Sequence, residues 1–279
     1  MDAHARFTTA VALLVLVPAA VRATPFSFST GVPDGLIATG SRPDSPGKVE
    51  IESADDFVLA NPTFINHATF TGLITGGATV ADVGQVVVEI YRVFPKDSDT
   101  GRTPNVPTRV NSPSDVAFDS RDSAAAGRSY TTSVLNPNFT AANSVLNGIH
   151  PSPNQNTLGE GPVTGQEVLF DVTLPTPLDL PADHYFFIPQ VQLSSGEFLW
   201  LSASKPIVAP GTPFTPDLQS WIRNADLDPD WLRVGTDIVG SGAFNGTFSL
   251  RGEAIPAPSA LVLAGLGAVL AIRGRRFSR

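Results

Sequence analysis

Proline and glycine break this chain so often that helices of ordinary length have almost nowhere to form. There are 25 prolines and 24 glycines in 279 residues. No long stretch carries apolar residues at the 3.6-residue spacing of an amphipathic helix. Between the breaks stand short runs in which apolar and polar residues alternate, and phenylalanine is abundant, with 17 copies. Alternation sends successive side chains to opposite faces of an extended strand. Residues 26–30, 54–59, 67–74, 83–94, 166–174, 185–193, 197–203 and 243–253 read this way. Eight or more short strands with long Pro- and Gly-rich connections predict an all-β fold, an antiparallel two-sheet β-sandwich of jelly-roll type.

The most strand-like run is 83–94. Val86, Val88 and Ile90 share one face, and Val87, Tyr91 and Val93 share the other with Glu89. Two largely apolar faces predict a central strand covered on both sides. The runs 185–193 and 197–203 are joined through Ser194, Ser195 and Gly196, which predicts a hairpin. Residues 33–48 read as loop, and 218–225 as one short helix holding Trp221. In 243–253, Phe244, Phe248 and Leu250 are expected to face inward, with Asn245, Thr247, Ser249 and Arg251 outward. The interval 95–165 is polar and reads as a loop-rich insertion, with a short element at 138–149. Loops that long are uncommon unless they are functional or contain elements of their own.

Both ends of the chain read as address labels. At the start, His4 and Arg6 precede an apolar core at 11–17, and Val21-Arg22-Ala23 precedes Thr24. This pattern predicts a signal helix over 1–23, cut by signal peptidase near Ala23 or nearer Ala20. At the other end, Pro256 and Pro258 prevent a helix from running out of the body of the protein. Residues 260–272 then carry no charged or polar side chain. A full membrane span needs about 20 apolar residues, a length approached if Ile255 opens the stretch and Arg273 snorkels. Four arginines stand in the last seven residues, among them Arg273, Arg275 and Arg276. They hold that end on the cytoplasmic side, as a membrane stop. A hydrophobic helix is therefore expected within 255–279, and a simple C-terminal anchor has the same physics.

The order of breaker, apolar run and arginine cluster resembles the PEP-CTERM sorting tail of exported bacterial proteins. The resemblance is confined to 255–279, and Pro256-Ala257-Pro258 stands where the family has Pro-Glu-Pro. It implies an exosortase, a membrane protease-transferase, as a partner that cuts near this triplet. It also implies a Gram-negative source that makes extracellular polysaccharide, and a mature protein on the cell surface or in the matrix.

Between the labels, residues 24–254 read as one ectodomain, long enough for a single sizeable core. Residues 24–255 hold 12 Lys and Arg against 25 Asp and Glu, a net charge of −13. Such a surface repels nucleic acid and anionic lipid. There is no cysteine, which excludes disulfides, thiolate metal sites and a cysteine nucleophile.

Two acidic stretches place oxygen ligands at alternate positions, as calcium loops do: 97–101, and Asn224, Asp226, Asp228 and Asp230. Neither completes an EF-hand, because Pro229 stands where glycine is needed and Gly235 where the bidentate glutamate belongs. Asp and Asn as turn formers, their commonest role, account for both. Calcium is the one cofactor the sequence suggests. Asp55 and Asp56 are adjacent, so on a strand they point to opposite faces. No H-E-x-x-H or G-x-S-x-G pattern occurs, and His67, His150 and His184 read as structural. Trp221 and Trp231, beside Arg223 and the acidic residues, form a candidate sugar-binding platform. The sequence thus predicts a non-enzymatic envelope or matrix protein. The alternatives are a carbohydrate-binding surface module and a secreted polysaccharide hydrolase.

Overall fold

The computed structural model describes residues 23–106, 108–125, 129–150, 155–203, 218–240 and 242–255. Of the expected signal helix over 1–23 and hydrophobic helix within 255–279, residues 1–22 and 256–279 lie outside that set. So do Pro256, Ala257, Pro258, Arg273, Arg275 and Arg276. Among the described residues no helix is long and apolar enough to cross a membrane.

Thr24–Ile255 forms one compact unit. Its strands are β1 (Thr24–Ser29), β2 (Pro33–Gly40), β3 (Ile51–Val58), β4 (Thr63–Ile74), β5 (Val83–Arg92), β6 (Asp119–Asp122), β7 (Ser129–Ala141) and β8 (Asn143–Val145). They continue with β9 (Val163–Leu180), β10 (His184–Leu193), β11 (Phe198–Ala203), β12 (Trp221–Asn224), β13 (Leu232–Arg233), β14 (Asn245–Gly246) and β15 (Phe248–Ala254). Helix among the described residues is limited to a 3-10 turn at Val80–Asp82 and a π turn at Val234–Val239.

The strands form two sheets, as the alternation predicts. A nine-stranded sheet runs β1-β15-β4-β11-β2-β8, with β9 also on β4, β7 on β9 and β14 on β11. Its pairings are antiparallel except β2 with β8. A six-stranded sheet runs β13-β12-β3-β10-β5-β6 and is antiparallel throughout.

One core joins the two sheets. From the six-stranded sheet come Phe57, Val86, Val88, Ile90, Tyr185, Phe187 and Val191, all buried. They meet Phe28, Ile65, Phe70, Phe170, Trp200, Phe248 and Leu250 of the nine-stranded sheet. The Phe187 and Phe248 rings stack across the gap at 4.8 Å, and Phe70 stacks on Phe170 within its own sheet at 4.9 Å. The high phenylalanine content thus goes into the layer between the sheets, where each buried ring contributes about 1.5–3 kcal/mol. Gly246 lets Trp200 lie flat on the backbone, since a Cβ there would stand 2.2 Å from the indole.

The other face of the six-stranded sheet is covered as well. Ala54, Tyr91, Phe186, Ile188, Leu218, Trp221 and Trp231 form a second, smaller cluster there. The expectation for 83–94 is thus met in its two covered faces, but β5 is not central. Only β6 separates it from the sheet edge among the described strands.

Several local expectations are corrected. The predicted hairpin does not form, because β10 already has β3 and β5 on its two edges. The chain instead crosses to the nine-stranded sheet, where β11 pairs with β2, β4 and β14. The crossing is held by Asp82, whose carboxylate accepts from Ser194 Oγ at 2.9 Å and Ser195 Oγ at 3.2 Å. It turns at Gly196, with φ of 66°. Residues 33–40 are strand rather than loop, with Ile37 and Ala38 buried. The interval 95–165 contains β6, β7 and β8. Residue 221 opens a strand rather than a helix, because Trp221 and Ile222 pair with Ala54 and Ser53. Asn245 and Thr247 face inward, and Thr247 Oγ1 lies 2.9 Å from the carbonyl oxygens of both Thr71 and Leu201.

Candidate functional site

The densest chemistry lies on the outer face of the six-stranded sheet. Register sets Arg223 of β12 opposite Glu52 of β3, and β5 brings Glu89 and Tyr91 to the same face. The Arg223 guanidinium donates through Nε to Glu52 Oε2, and through Nη2 to the Tyr91 hydroxyl at 2.8 Å. That hydroxyl in turn donates to Glu52 Oε1 at 2.8 Å. A third arm, Nη1, meets Asp228 Oδ1 at 2.7 Å. The guanidinium also lies over the Trp231 ring, 4.3 Å from its centroid, and 5.2 Å from that of Tyr91.

Burial shifts several groups of this face. Burial, reinforced by the charge and hydrogen bond of Glu52, pushes the Glu89 carboxyl up to about 8, against the pull of Arg223. Burial likewise raises Glu50, whose Oε1 accepts from Gln190 Nε2 at 2.9 Å. Burial also raises the Tyr91 hydroxyl. For Arg223, burial lowers the pKa, but Glu52, Tyr91 and Asp228 together more than offset it. With its carboxyl pushed up to about 8, Glu89 is mostly protonated at neutral pH, and it stands beside Glu52, which accepts from Arg223 and Tyr91. A carboxyl raised by burial is the raw material of acid–base chemistry. Here, however, both Glu52 oxygens are occupied, and its side chain is buried.

The predicted calcium ligands do not come together. Asn224 Oδ1 accepts from the Leu227 N–H at 3.1 Å, and Asp226 is exposed. Asp228 pairs with Arg223. Asp230 is buried and meets Arg102 at 2.8 Å and the Asn105 N–H at 2.9 Å. Burial would raise the Asp230 carboxyl, but Arg102, the Asn105 N–H and Arg109 hold it below the usual carboxylate range. In the other acidic stretch, Asp97 is taken by Arg92 and Asp99 Oδ1 by the Gly101 N–H. Among the described residues no three His, Asp or Glu side chains are placed to hold one metal ion.

The exposed aromatic platform is corrected too. Trp221 and Trp231 are each only 2% exposed, since both pack into the cluster on the sheet's outer face. Trp231 Nε1 donates to the Ser114 carbonyl at 3.1 Å. The three histidines have polar neighbours. His67 Nε2 lies 2.7 Å from Asp171, His184 Nε2 2.6 Å from Asp56, and His150 Nε2 3.4 Å from the Asp237 carbonyl. Asp55 and Asp56 point to opposite faces, as alternation requires. Asp55 accepts the Gly246 N–H at 3.0 Å, and Asp56 the Leu218 N–H at 3.1 Å.

Sequence reasoning did not assemble the Glu52–Arg223–Tyr91–Glu89 cluster. The available signal was Glu89, the one charged residue in the apolar run 86–91. Comparison with known protein families, with curated proteins and with solved structures finds no match for this chain.

Proposed function

We propose that this chain is an exported protein of the bacterial cell envelope or extracellular matrix that catalyses no reaction itself. In this reading signal peptidase removes the leader at 1–23. The segment 255–279 then holds the chain transiently in the inner membrane, with Arg273, Arg275 and Arg276 on the cytoplasmic side. An exosortase acts near Pro256-Ala257-Pro258 and releases the ectodomain to the outer surface or matrix, where extracellular polysaccharide is the partner at hand. The sandwich belongs in this picture as a jelly-roll variant. That reading is supported by successive strands from β2 to β5, and again from β9 to β12, falling in alternate sheets.

One observation carries the proposal. The compact unit begins and ends at the two positions where sequence places the address labels. Strand β1 pairs with β15 along its full length, with Thr24 opposite Ala254. Cutting at both ends would leave the sheet whole. Mass spectrometry of the protein recovered from its native envelope tests this. A mature form that starts near Thr24 and lacks the arginine end is expected. An intact chain recovered from the soluble cytosolic fraction refutes the proposal.

A further inference from the structure

A strand at the end of a sheet presents N–H and C=O groups that no neighbouring strand meets. Most such edges in this domain are guarded. In the nine-stranded sheet, β1 is six residues long and carries Pro25, and β8 is three residues long. In the six-stranded sheet, β13 has two residues, and β6 is Asp119-Ser120-Arg121-Asp122, charged at three of its four positions. Shortness, proline and charge each deter pairing with another chain. Strand β7 is different. It has 13 residues, pairs with β9 alone among the described strands, and carries no charge from Ser129 to Ala141.

The first half of β7 has the regularity that a partner strand needs. Ser129 to Val134 run in unbroken register with Thr173 to Val168 of β9. Tyr, Thr and Val fill four of those six positions, and all three favour strands. The bulges that protect edges begin only beyond this half, where the register shifts between Val134 and Asn136 and again between Asn136 and Phe139. Val134 stands opposite Val168, which is fully buried, yet is itself 44% exposed, with no described strand beyond it. Leu135, at the first shift, is 52% exposed.

We infer that β7 is a self-association edge: two copies of this chain pair antiparallel along Ser129–Val134, about a two-fold axis, and join their nine-stranded sheets into one. Charge selects a second copy as the occupant. A strand that pairs with itself brings every charge it carries close to a copy of the same charge, so a self-pairing edge has to be neutral. β7 is neutral, within a domain whose net charge of −13 otherwise drives copies apart. An oppositely charged partner strand finds no charge on this edge to recognise. Asp171 of β9 lies opposite Thr131. Across the joint it stands at least three strand spacings, about 14 Å, from its counterpart, beyond the screening length of about 8 Å in physiological salt. Main-chain hydrogen bonds supply the affinity in recognition of this kind. Each copy offers one such edge, so pairing closes at the dimer. The edge belongs to the ectodomain alone, so the inference stands or falls apart from the export reading.

The test is sedimentation equilibrium of the full-length chain, in a detergent that masks its apolar ends. A reversible dimer is expected, with a Kd of about 10–100 μM, as suits a small interface. Ser133 is exposed on β7, and Ser133→Lys and Ser133→Glu are each checked for an unchanged fold by circular dichroism. Either variant alone should weaken the dimer about tenfold, by setting like charges together. A one-to-one mixture of the two should restore it. Ser27→Lys, exposed on the β1 edge, should change nothing. Four results overturn the inference: a chain that stays monomeric at about ten times the expected Kd, a dimer that both Ser133 variants leave unchanged, a mixture no more associated than either variant alone, or a loss with Ser27→Lys equal to that with Ser133→Lys.

Discussion

Replacing Glu89 by glutamine should make the protein more stable in mild alkali and leave it unchanged in mild acid. In the fold the Glu89 carboxyl keeps its proton up to about pH 8, against an ordinary value of 4.5. A raised acid pKa means that folding takes up a proton between those two values. The contribution of this group to stability is therefore greatest below pH 4.5 and is lost steadily as pH rises towards 8. Each pH unit of that interval is worth about 1.4 kcal/mol, so the full loss has a ceiling of about 5 kcal/mol. Glu89 is only part-buried, which brings the expected loss to about 2–3 kcal/mol. Glutamine has the shape of the protonated acid and cannot ionise. The assay is urea unfolding followed by tryptophan fluorescence, for both proteins, from pH 5 to pH 9. The difference in stability should be near zero at pH 5 and reach about 2–3 kcal/mol in favour of Glu89→Gln at pH 9. A difference curve that stays flat across this range would refute the assignment of a protonated Glu89.

The same cluster makes Arg223→Met costly. It leaves Glu52 buried without its cation, and a loss of about 3–5 kcal/mol is expected in the same unfolding assay; a loss below about 1 kcal/mol would mean that the network does not hold the outer face. Gly246→Ala drives a methyl into the Trp200 indole, so thermal melts should show a destabilisation of about 1–3 kcal/mol. Phe187→Ala removes a ring that stacks on Phe248 between the sheets and should cost about 3–5 kcal/mol, enough to lower the melting temperature by several degrees. Asp230→Asn keeps the shape but loses the charge that pairs with Arg102. It should destabilise by about 1–2 kcal/mol at pH 7, and the gap to the parent protein should narrow as pH falls and protonates the parent's Asp230.

What the sequence disclosed follows from which strands show contrast between their faces. Strands β9, β10 and β15 have an apolar face on the core, and their alternation was readable. Strand β7 was not, because its runs of Ser, Thr and Asn lie mostly exposed, against β9 alone. Strand β12 is four residues long, too short to show a period, and is defined by its pairing with β3. The step from β10 to β11 failed for another reason. A hairpin and a crossing between sheets can use the same turn residues, and what decides is whether β10 has an edge to offer. That is fixed by β3 and β5, far away in sequence.

The mistaken sites share one physical cause. A sandwich has no helix layer over its outer faces, so the six-stranded sheet is roofed by irregular chain, including 95–106, 108–118 and 225–231. Irregular backbone cannot pair its own polar groups as a sheet does, and buried ones must find partners. The side chains that looked like metal or sugar ligands supply those partners. Asp230 accepts the Asn105 N–H, Arg109 donates to the Asp99 carbonyl at 3.0 Å, Arg223 to that of Asp115 at 3.3 Å, and Trp231 to that of Ser114. A stretch dense in Asp, Arg and Trp is the composition of a binding loop, and equally that of a roof stitched to the sheet beneath it. The two differ in whether the polar atoms are already spent. In the roof over Glu52 they are spent.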